Sequence, residues 1–407
     1  MEVSVGLVEG LGAVEVELLG DYADDAGNRF APGKHRLTSE ATLQPSDPGA
    51  CAFALDDVTI GIGFHWERKE RQLYRGALRV LRRPAGLTVV NDVPLEEYAA
   101  SVISSEMSAT CPVELLKAHA VISRSWLKGP AAAGVVPSGP DTPGEILRWY
   151  GREAHADFEV CADDHCQRYQ GITKAVSPAV HEAVRATALE MLLFDGAIAD
   201  TRFSKCCGGL TEAYATAWDD REIPYLVSFP DGLAGPGPTD LDAFLRSSPA
   251  AFCNTTDAVL LSRILPGFDQ ETTDFFRWKV AYGPDELSEL VAARLGVDLG
   301  TIVSLEPLDR GPSGRIWRLR IAGERGSIVV GKELEIRRAL SRSHLYSSAF
   351  VVDRDETGRF VLTGAGWGHG VGLCQIGAAV MAERGFGYRQ ILAHYYPGTA
   401  VERSAAG

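Results

Sequence analysis

The chain has 407 residues, 45% of them hydrophobic and 23% charged, enough to bury the cores of about two or three domains. Forty Lys and Arg stand against 54 Asp and Glu, a formal charge of −14. That balance excludes nucleic acid and anionic lipid as expected partners, since both need a basic footprint, but leaves a neutral sugar polymer open.

Residues 1–90 read as a β-rich region. Val3, Val5 and Leu7 alternate, as do Val14, Val16 and Leu18, and Ala31-Pro32-Gly33-Lys34 supplies a turn. Val58–Ile62 and Leu87–Val90 continue the pattern. The opening Met1-Glu2-Val3-Ser4-Val5-Gly6 lacks the basic and apolar stretches of a signal peptide. No apolar run reaches the roughly 18 residues of a membrane span.

At residues 94–107 the period changes: Leu95, Tyr98, Ala99, Val102 and Ile103 follow helical spacing. Pro94 suits the first helical position, and Glu96 and Glu97 suit the positive end of the dipole. A second helix starts at Pro112, carries Leu115, Ala118, Ile122 and Trp126 on one stripe, and ends near Gly129-Pro130. The short connection predicts that the two helices lie close together. Residues 128–143, rich in Gly, Pro and Ala, read as a loop or lid, and 230–238 as a second break. From there to 360 the pattern predicts an inserted α+β subdomain, with a helix over 284–295 and strands near 301–307, 315–321 and 327–330. A glycine-dense stretch, 364–372, leads to a final helical pair over 373–395. The expected fold is α+β, divided as an N-terminal β-rich region (1–90), a core (91–229), the insert (230–360) and a return to the core (361–407).

Continuing the first helix's apolar stripe by one turn brings Glu106 to the inward face. A carboxyl group there loses solvent, its pKa rises, and it can hand a proton to a leaving oxygen. The alternative is a glutamate ending its helix at a solvated edge. Farther on, His155, Cys161, His165 and Cys166 lie within twelve residues, a donor set suited to tetrahedral zinc; the alternative is two loop histidines beside free or disulfide-bonded cysteines. Eight cysteines are too sparse for a disulfide scaffold, and Cys206 and Cys207 are substitute ligand candidates. Four protein ligands leave no open position, so the metal would be structural. His181-Glu182 is followed by Ala183-Val184-Arg185 without a second histidine, and no G-x-S-x-G elbow occurs, so neither a zinc hydrolase nor a serine hydrolase is expected. His369, between Gly368 and Gly370, either meets a ligand or sits in a strand-to-helix turn. Gln375 either faces a cleft or caps a helix. Arg124 either orients Glu106, binds an acidic substituent, or forms a surface salt bridge.

Several of these stretches resemble the SpoIID/LytB family of sporulation and cell-wall proteins. They are Val93-Pro94-Leu95-Glu96-Glu97-Tyr98, Ser105-Glu106-Met107, Leu116-Lys117-Ala118-His119-Ala120-Val121 with Arg124, and Gly366-Trp367-Gly368-His369-Gly370-Val371-Gly372-Leu373-Cys374-Gln375-Ile376-Gly377-Ala378. The matching pieces run from residue 93 to about 398, with 230–360 matching loosely. The resemblance implies a SpoIID-like catalytic core in the cell envelope, acting on peptidoglycan glycan strands stripped of their peptides. It also implies a lytic transglycosylase whose catalytic glutamate, the one preceding a Met, is Glu106. The product would be a 1,6-anhydro sugar, formed after cleavage at N-acetylmuramic acid. Other members are enhancers of cell-wall amidases, which gives an alternative role. A His-plus-His-Cys zinc pattern in some members supports zinc on His155, Cys161, His165 and Cys166. A Cys-Gln-x-Tyr signature assigns sugar contacts to Gln167 and Tyr169, and Ser204 lies in an imperfect Ser-x-Cys-x-Gly turn. The chain departs from the family at Ser108 (usually Pro), His119 (usually Gln) and Cys374 (often Ser). One carboxylate can serve such a reaction as acid and then base, and no partner carboxylate stands out in the sequence; Glu97 lies about 180° around the helix and more than two turns away.

Overall fold

The computed structural model describes residues 1–63, 66–130, 144–150, 155–232, 237–272 and 274–403, with backbone alone at 268 and 271. The alternation of the first ninety residues becomes two sheets. A seven-stranded sheet runs in the order Val160–Cys161, Glu2–Leu11, Gly86–Pro94, Ala77–Arg83, Ala41–Pro45, Tyr22–Asp24, Arg29–Phe30. A four-stranded sheet holds Gly33–Leu37, Val14–Leu18, Phe53–Ile60 and Arg68–Tyr74. A period of two sends alternate side chains to one face, so Val3, Val5, Val14, Val16 and Leu18 share one buried core.

Strand Glu2–Leu11 pairs antiparallel with Gly86–Pro94, Glu2 opposite Pro94. The chain passes straight from that strand end into helix α1, Leu95–Glu106, with Pro94 as N-cap, one place before the position expected for it. Tyr98, Ala99, Val102 and Ile103 are buried as the stripe predicts, but so are Ser101, Ser104 and Ser105. The β core covers one side of α1, and helices α2 (Val113–Lys128) and α3 (Pro178–Ala186) cover others. The buried hydroxyls of Ser104 and Ser105 donate to the carbonyls one turn back, at 2.7 and 2.8 Å, so they are tolerated. The α2 stripe of Leu115, Ala118, Ile122 and Trp126 is buried throughout. Most of the Gly/Pro/Ala-rich stretch, 131–143, and part of the second break, 233–236, lie outside the described residues.

The helix expected over 284–295 runs Pro284–Leu295, with Pro at its first turn and Gly296 in the left-handed conformation at its end. It packs beside an antiparallel sheet of Ile302–Arg310, Ile316–Gly323 and Gly326–Gly331 over a core of Leu287, Val291, Ile316, Leu319 and Ile321. Sheet pairing crosses the expected domain boundaries. Glu145–Leu147 joins this sheet in parallel, Glu145 opposite Val329. Strand Phe360–Ala365 lies between Arg277–Tyr282 and Phe350–Arg354. Val160–Cys161 extends the first sheet, Val5 opposite Val160. Finally Leu373–Cys374 lies parallel to Phe203–Ser204, and the helices Gln375–Glu383 and Tyr388–Tyr395 bury their apolar faces in the core shared with α2. The architecture is α+β, as expected.

Candidate active site

Glu106 is the last residue of α1 and only 9% exposed. Burial and the negative end of the helix dipole both disfavour a charge there. Its carboxyl is raised above the ordinary glutamate value, by burial first; the Asp164 charge adds to the rise, while Arg168 and Lys205 oppose it. The group is also held in place. Its Oε1 accepts the backbone N–H of Arg168 at 2.9 Å, and the Lys205 ammonium donates to its backbone carbonyl at 3.1 Å.

The carboxyl borders a cavity of about 490 Å³. Of the residues expected at the site, the cavity brings together Glu106, Ser204, His369 and Gln375, and at its edge His165 and Cys166. Trp66, Trp126, Tyr150, Phe203, Trp218 and Trp367 give it aromatic walls, suited to the C–H faces of sugar rings. The buried Ser204 hydroxyl has no hydrogen-bond partner among the described residues. Gln375 donates from its amide nitrogen to His119 Nε2 at 3.0 Å, and His119 Nδ1 meets Ser123 Oγ at 3.2 Å. Burial brings the His119 imidazole down to about 3, so a neutral ring at this position serves as the polar anchor for Gln375. His369 is likewise neutral: burial and then Arg202 and Arg315 hold it well below the usual value, and its Nδ1 accepts the N–H of Val371 at 3.0 Å. Gly370 next to it has φ +74°, and a Cβ there would stand 2.4 Å from the Arg315 guanidinium carbon. The loop is therefore a turn built on its glycines, and it sets His369 at the cavity.

Arg124, Gln167 and Tyr169 are not in the cavity, which corrects the contacts expected of them. Arg124 is fully buried and donates to the carbonyls of Thr187 and Val184 and, at 2.5 Å, to Glu96. Glu96 lies at the far end of α1 from Glu106, so this guanidinium fastens three helices and neither orients the acid nor sits on the surface. Replacing Arg124 by Leu is expected to cost about 3 kcal/mol in denaturant unfolding, by leaving buried carbonyls unpaired, with activity per folded molecule unchanged. Gln167 accepts from the Tyr98 hydroxyl at 3.0 Å, and Tyr169 donates to Asn91 at 2.6 Å while stacking on Tyr98 and Tyr74. Both point into the β core, whereas Arg168 between them lines the cavity with its guanidinium over Trp66 at 4.8 Å.

The cavity also holds carboxylates that the sequence did not bring near Glu106: Asp163, Asp164, Asp269 and Glu333. Three of them carry a cation, Asp164 with Arg168 at 2.5 Å, Asp269 with Lys205 at 2.8 Å and Glu333 with Arg337 at 3.6 Å. Asp164 therefore offsets the charge of Arg168, the cation that most lowers the Glu106 pKa. An Asp164→Asn substitution removes the carboxylate that offsets the Arg168 charge and removes a negative neighbour of Glu106, and both changes lower the Glu106 pKa. The basic limb of the pH–rate profile should then move to lower pH; a limb that stays or rises contradicts this coupling.

The four expected metal ligands are gathered. His155 Nε2 lies 3.3 Å from Cys166 Sγ, and His165 Nδ1 lies 3.5 Å from Cys166 Sγ and 3.9 Å from Cys161 Sγ. All four donor atoms fall within 4.8 Å of one another, close to the edges of a tetrahedron built on bonds of about 2.0–2.3 Å. The Cys161 thiol is held far below its usual pKa, first by Cys166 and also by both imidazoles, as a metal ligand requires. Cys206 and Cys207 are not substitutes in this set; both are buried elsewhere in the core.

A family model described as Stage II sporulation protein matches residues 84–194, and one described as a domain of unknown function matches 212–372. An uncharacterized protein of Brachyspira hyodysenteriae is 27% identical over 333 residues, 81% of this chain and 72% of the relative. Stage II sporulation protein D of Bacillus amyloliquefaciens is 26% identical over 324 residues, 77% of this chain and 76% of the relative. The amidase enhancer of Bacillus subtilis is 24% identical over 318 residues, which is 74% of this chain but 39% of that longer protein.

Proposed function

Starting from the fact that this chain belongs to the SpoIID/LytB family, we propose that it is a peptidoglycan lytic transglycosylase of the cell envelope, with Glu106 as its single acid and base. The observation that carries this reading is a buried, raised carboxyl at the edge of an aromatic-walled cavity. With a glycan strand across the cavity, Glu106 protonates the glycosidic oxygen after N-acetylmuramic acid, and the bond opens through an oxocarbenium-like state. The carboxylate left behind is close to Arg168 and Lys205, which favour its charge at that moment. It then takes the proton of the sugar's own 6-hydroxyl, which closes the 1,6-anhydro ring and returns the acid form.

The other groups have supporting tasks. Ser204, His369 and Gln375 offer hydrogen bonds to sugar hydroxyl and acetamido groups. Arg202, Arg337 and Arg338 at the cavity suit the lactyl carboxylates that a strand exposes once its peptides are removed. His155, Cys161, His165 and Cys166 fit a structural zinc, which would fix the segment leading into Arg168. Purified protein incubated with peptide-free strands should release 1,6-anhydro products detectable by mass spectrometry; their absence would overturn the assignment.

The relative named as an amidase enhancer supports a second reading, in which the chain binds glycan and stimulates a cell-wall amidase. In that case a Glu106→Gln chain stimulates the amidase as well as the wild type does, and neither releases anhydro sugars.

A further inference from the structure

A second group of metal-binding side chains lies in the core. Cys207, Cys253, Cys374 and Asp231 each place one donor atom within 4.8 Å of all the others. Cys207 Sγ is 3.5 Å from Cys253 Sγ and 3.4 Å from Asp231 Oδ2. None of the four is more than 3% exposed. They come from separate stretches of chain: the turn after Phe203–Ser204, the turn at 230–232, the loop between helices Leu241–Arg246 and Ala258–Ile264, and the residue before helix Gln375–Glu383.

The surroundings are already arranged for negatively charged donors. Backbone N–H groups of Cys207 and Gly377 point at Cys374 Sγ, at 3.2 and 3.4 Å. The N–H of Cys253 donates to Asp231 Oδ2 at 3.2 Å, and the Tyr395 hydroxyl donates to Oδ1 at 2.8 Å, which fixes the carboxylate plane. His394 Nε2 stands 3.5 Å from the same Oδ1.

We propose that this cluster is a second structural zinc site, with the thiolates of Cys207, Cys253 and Cys374 and Asp231 Oδ2 as its four ligands. Three sulfurs and one oxygen select a soft, tetrahedral dication, and the 3.4–3.5 Å separations match the edges of such a shell. Binding releases the three thiol protons, and the dication offsets two of the four ligand charges. The N–H and hydroxyl donors face the remainder. A carboxylate and three thiols are otherwise costly to hold in so dry a place. The ion would join Cys207, Asp231 and Cys253 to the helix that begins at Gln375, a residue that lines the cavity. It does not depend on what reaction the cavity performs.

Full-length protein expressed with zinc and purified under reducing conditions should carry two zinc ions per chain by elemental mass spectrometry. The Cys253→Ser chain should carry one, and so should Cys166→Ser, which alters only the other site. Should Cys253→Ser fail to fold, the zinc-edge X-ray absorption of the wild type gives the answer. With both sites filled the shell averages about 2.5 sulfurs per zinc, against about 2 for the His155–Cys166 site alone. One zinc bearing three sulfurs supports the core site while removing the other. A Cys166→Ser chain without zinc, a wild-type shell of two sulfurs, or a Cys207–Cys253 disulfide in peptide maps of the isolated protein would overturn the proposal.

Discussion

A Glu106→Gln chain is expected to lose at least ~10³-fold in strand cleavage while folding normally, since one group is asked to serve in both proton transfers and general acid–base catalysis contributes about 10²–10⁴-fold on its own. Gln keeps the volume and the Oε1 acceptor for the Arg168 N–H, so the end of α1 has no reason to move. The stability difference carries a sign that can be checked. Burial raises the native Glu106 pKa above the unfolded value near 4.5. The native state therefore binds this proton more tightly than the unfolded chain does. The resulting stability is complete below the unfolded pKa and is lost as pH rises through the folded pKa. Gln cannot ionise, so the melting temperature of the variant should gain on that of the wild type as pH rises across that window. Wild-type activity should fall in the same direction, because the acid form is consumed. Full cleavage by the variant would remove Glu106 from the chemistry; a melting difference that does not vary with pH would remove the raised pKa.

How much of this was legible in the chain depends on whether a local rule decided the outcome. The helix carrying Glu106 followed from five apolar residues at helical spacing after Pro94, and the helix Pro284–Leu295 from a proline at one end and Gly296 at the other. Long-range choices left no such mark. Nothing near Glu145–Leu147 announces that it adds a strand to Gly326–Gly331, and nothing near Asp269 announces Lys205. Arg124 was misplaced because helical spacing tells which residues share a face, not which face another helix will cover. Gln167 and Tyr169 carried the motif, yet alternation along an extended segment gives the position between them the opposite face. That signal was available, and it points to Arg168, the residue whose N–H holds Glu106.

Disturbing the His155–Cys166 site is expected to reach the reaction through that same segment. Val160–Cys161 is an edge strand held to the first sheet by two paired positions, and Arg168 follows the last ligand by two residues. A metal there couples the edge strand, the ligand loop and the backbone donor to Glu106 into one unit. Metal that binds the native chain alone contributes about 4 kcal/mol when its free concentration is a thousandfold above its Kd. For a chain of this length, unfolding together, that corresponds to about 5 °C in melting temperature. The Cys166→Ser chain, or wild type after exhaustive chelation, should therefore melt at least that much lower. It should also cleave more slowly, because the Arg168 N–H is no longer fixed against Glu106. Readdition of zinc should restore both properties to the chelated wild type and neither to the variant. The order of loss decides the metal's role: structure and activity falling together fits a structural ion, whereas activity lost at an unchanged melting temperature would mean that the ion takes part in the chemistry and that Glu106 does not act alone.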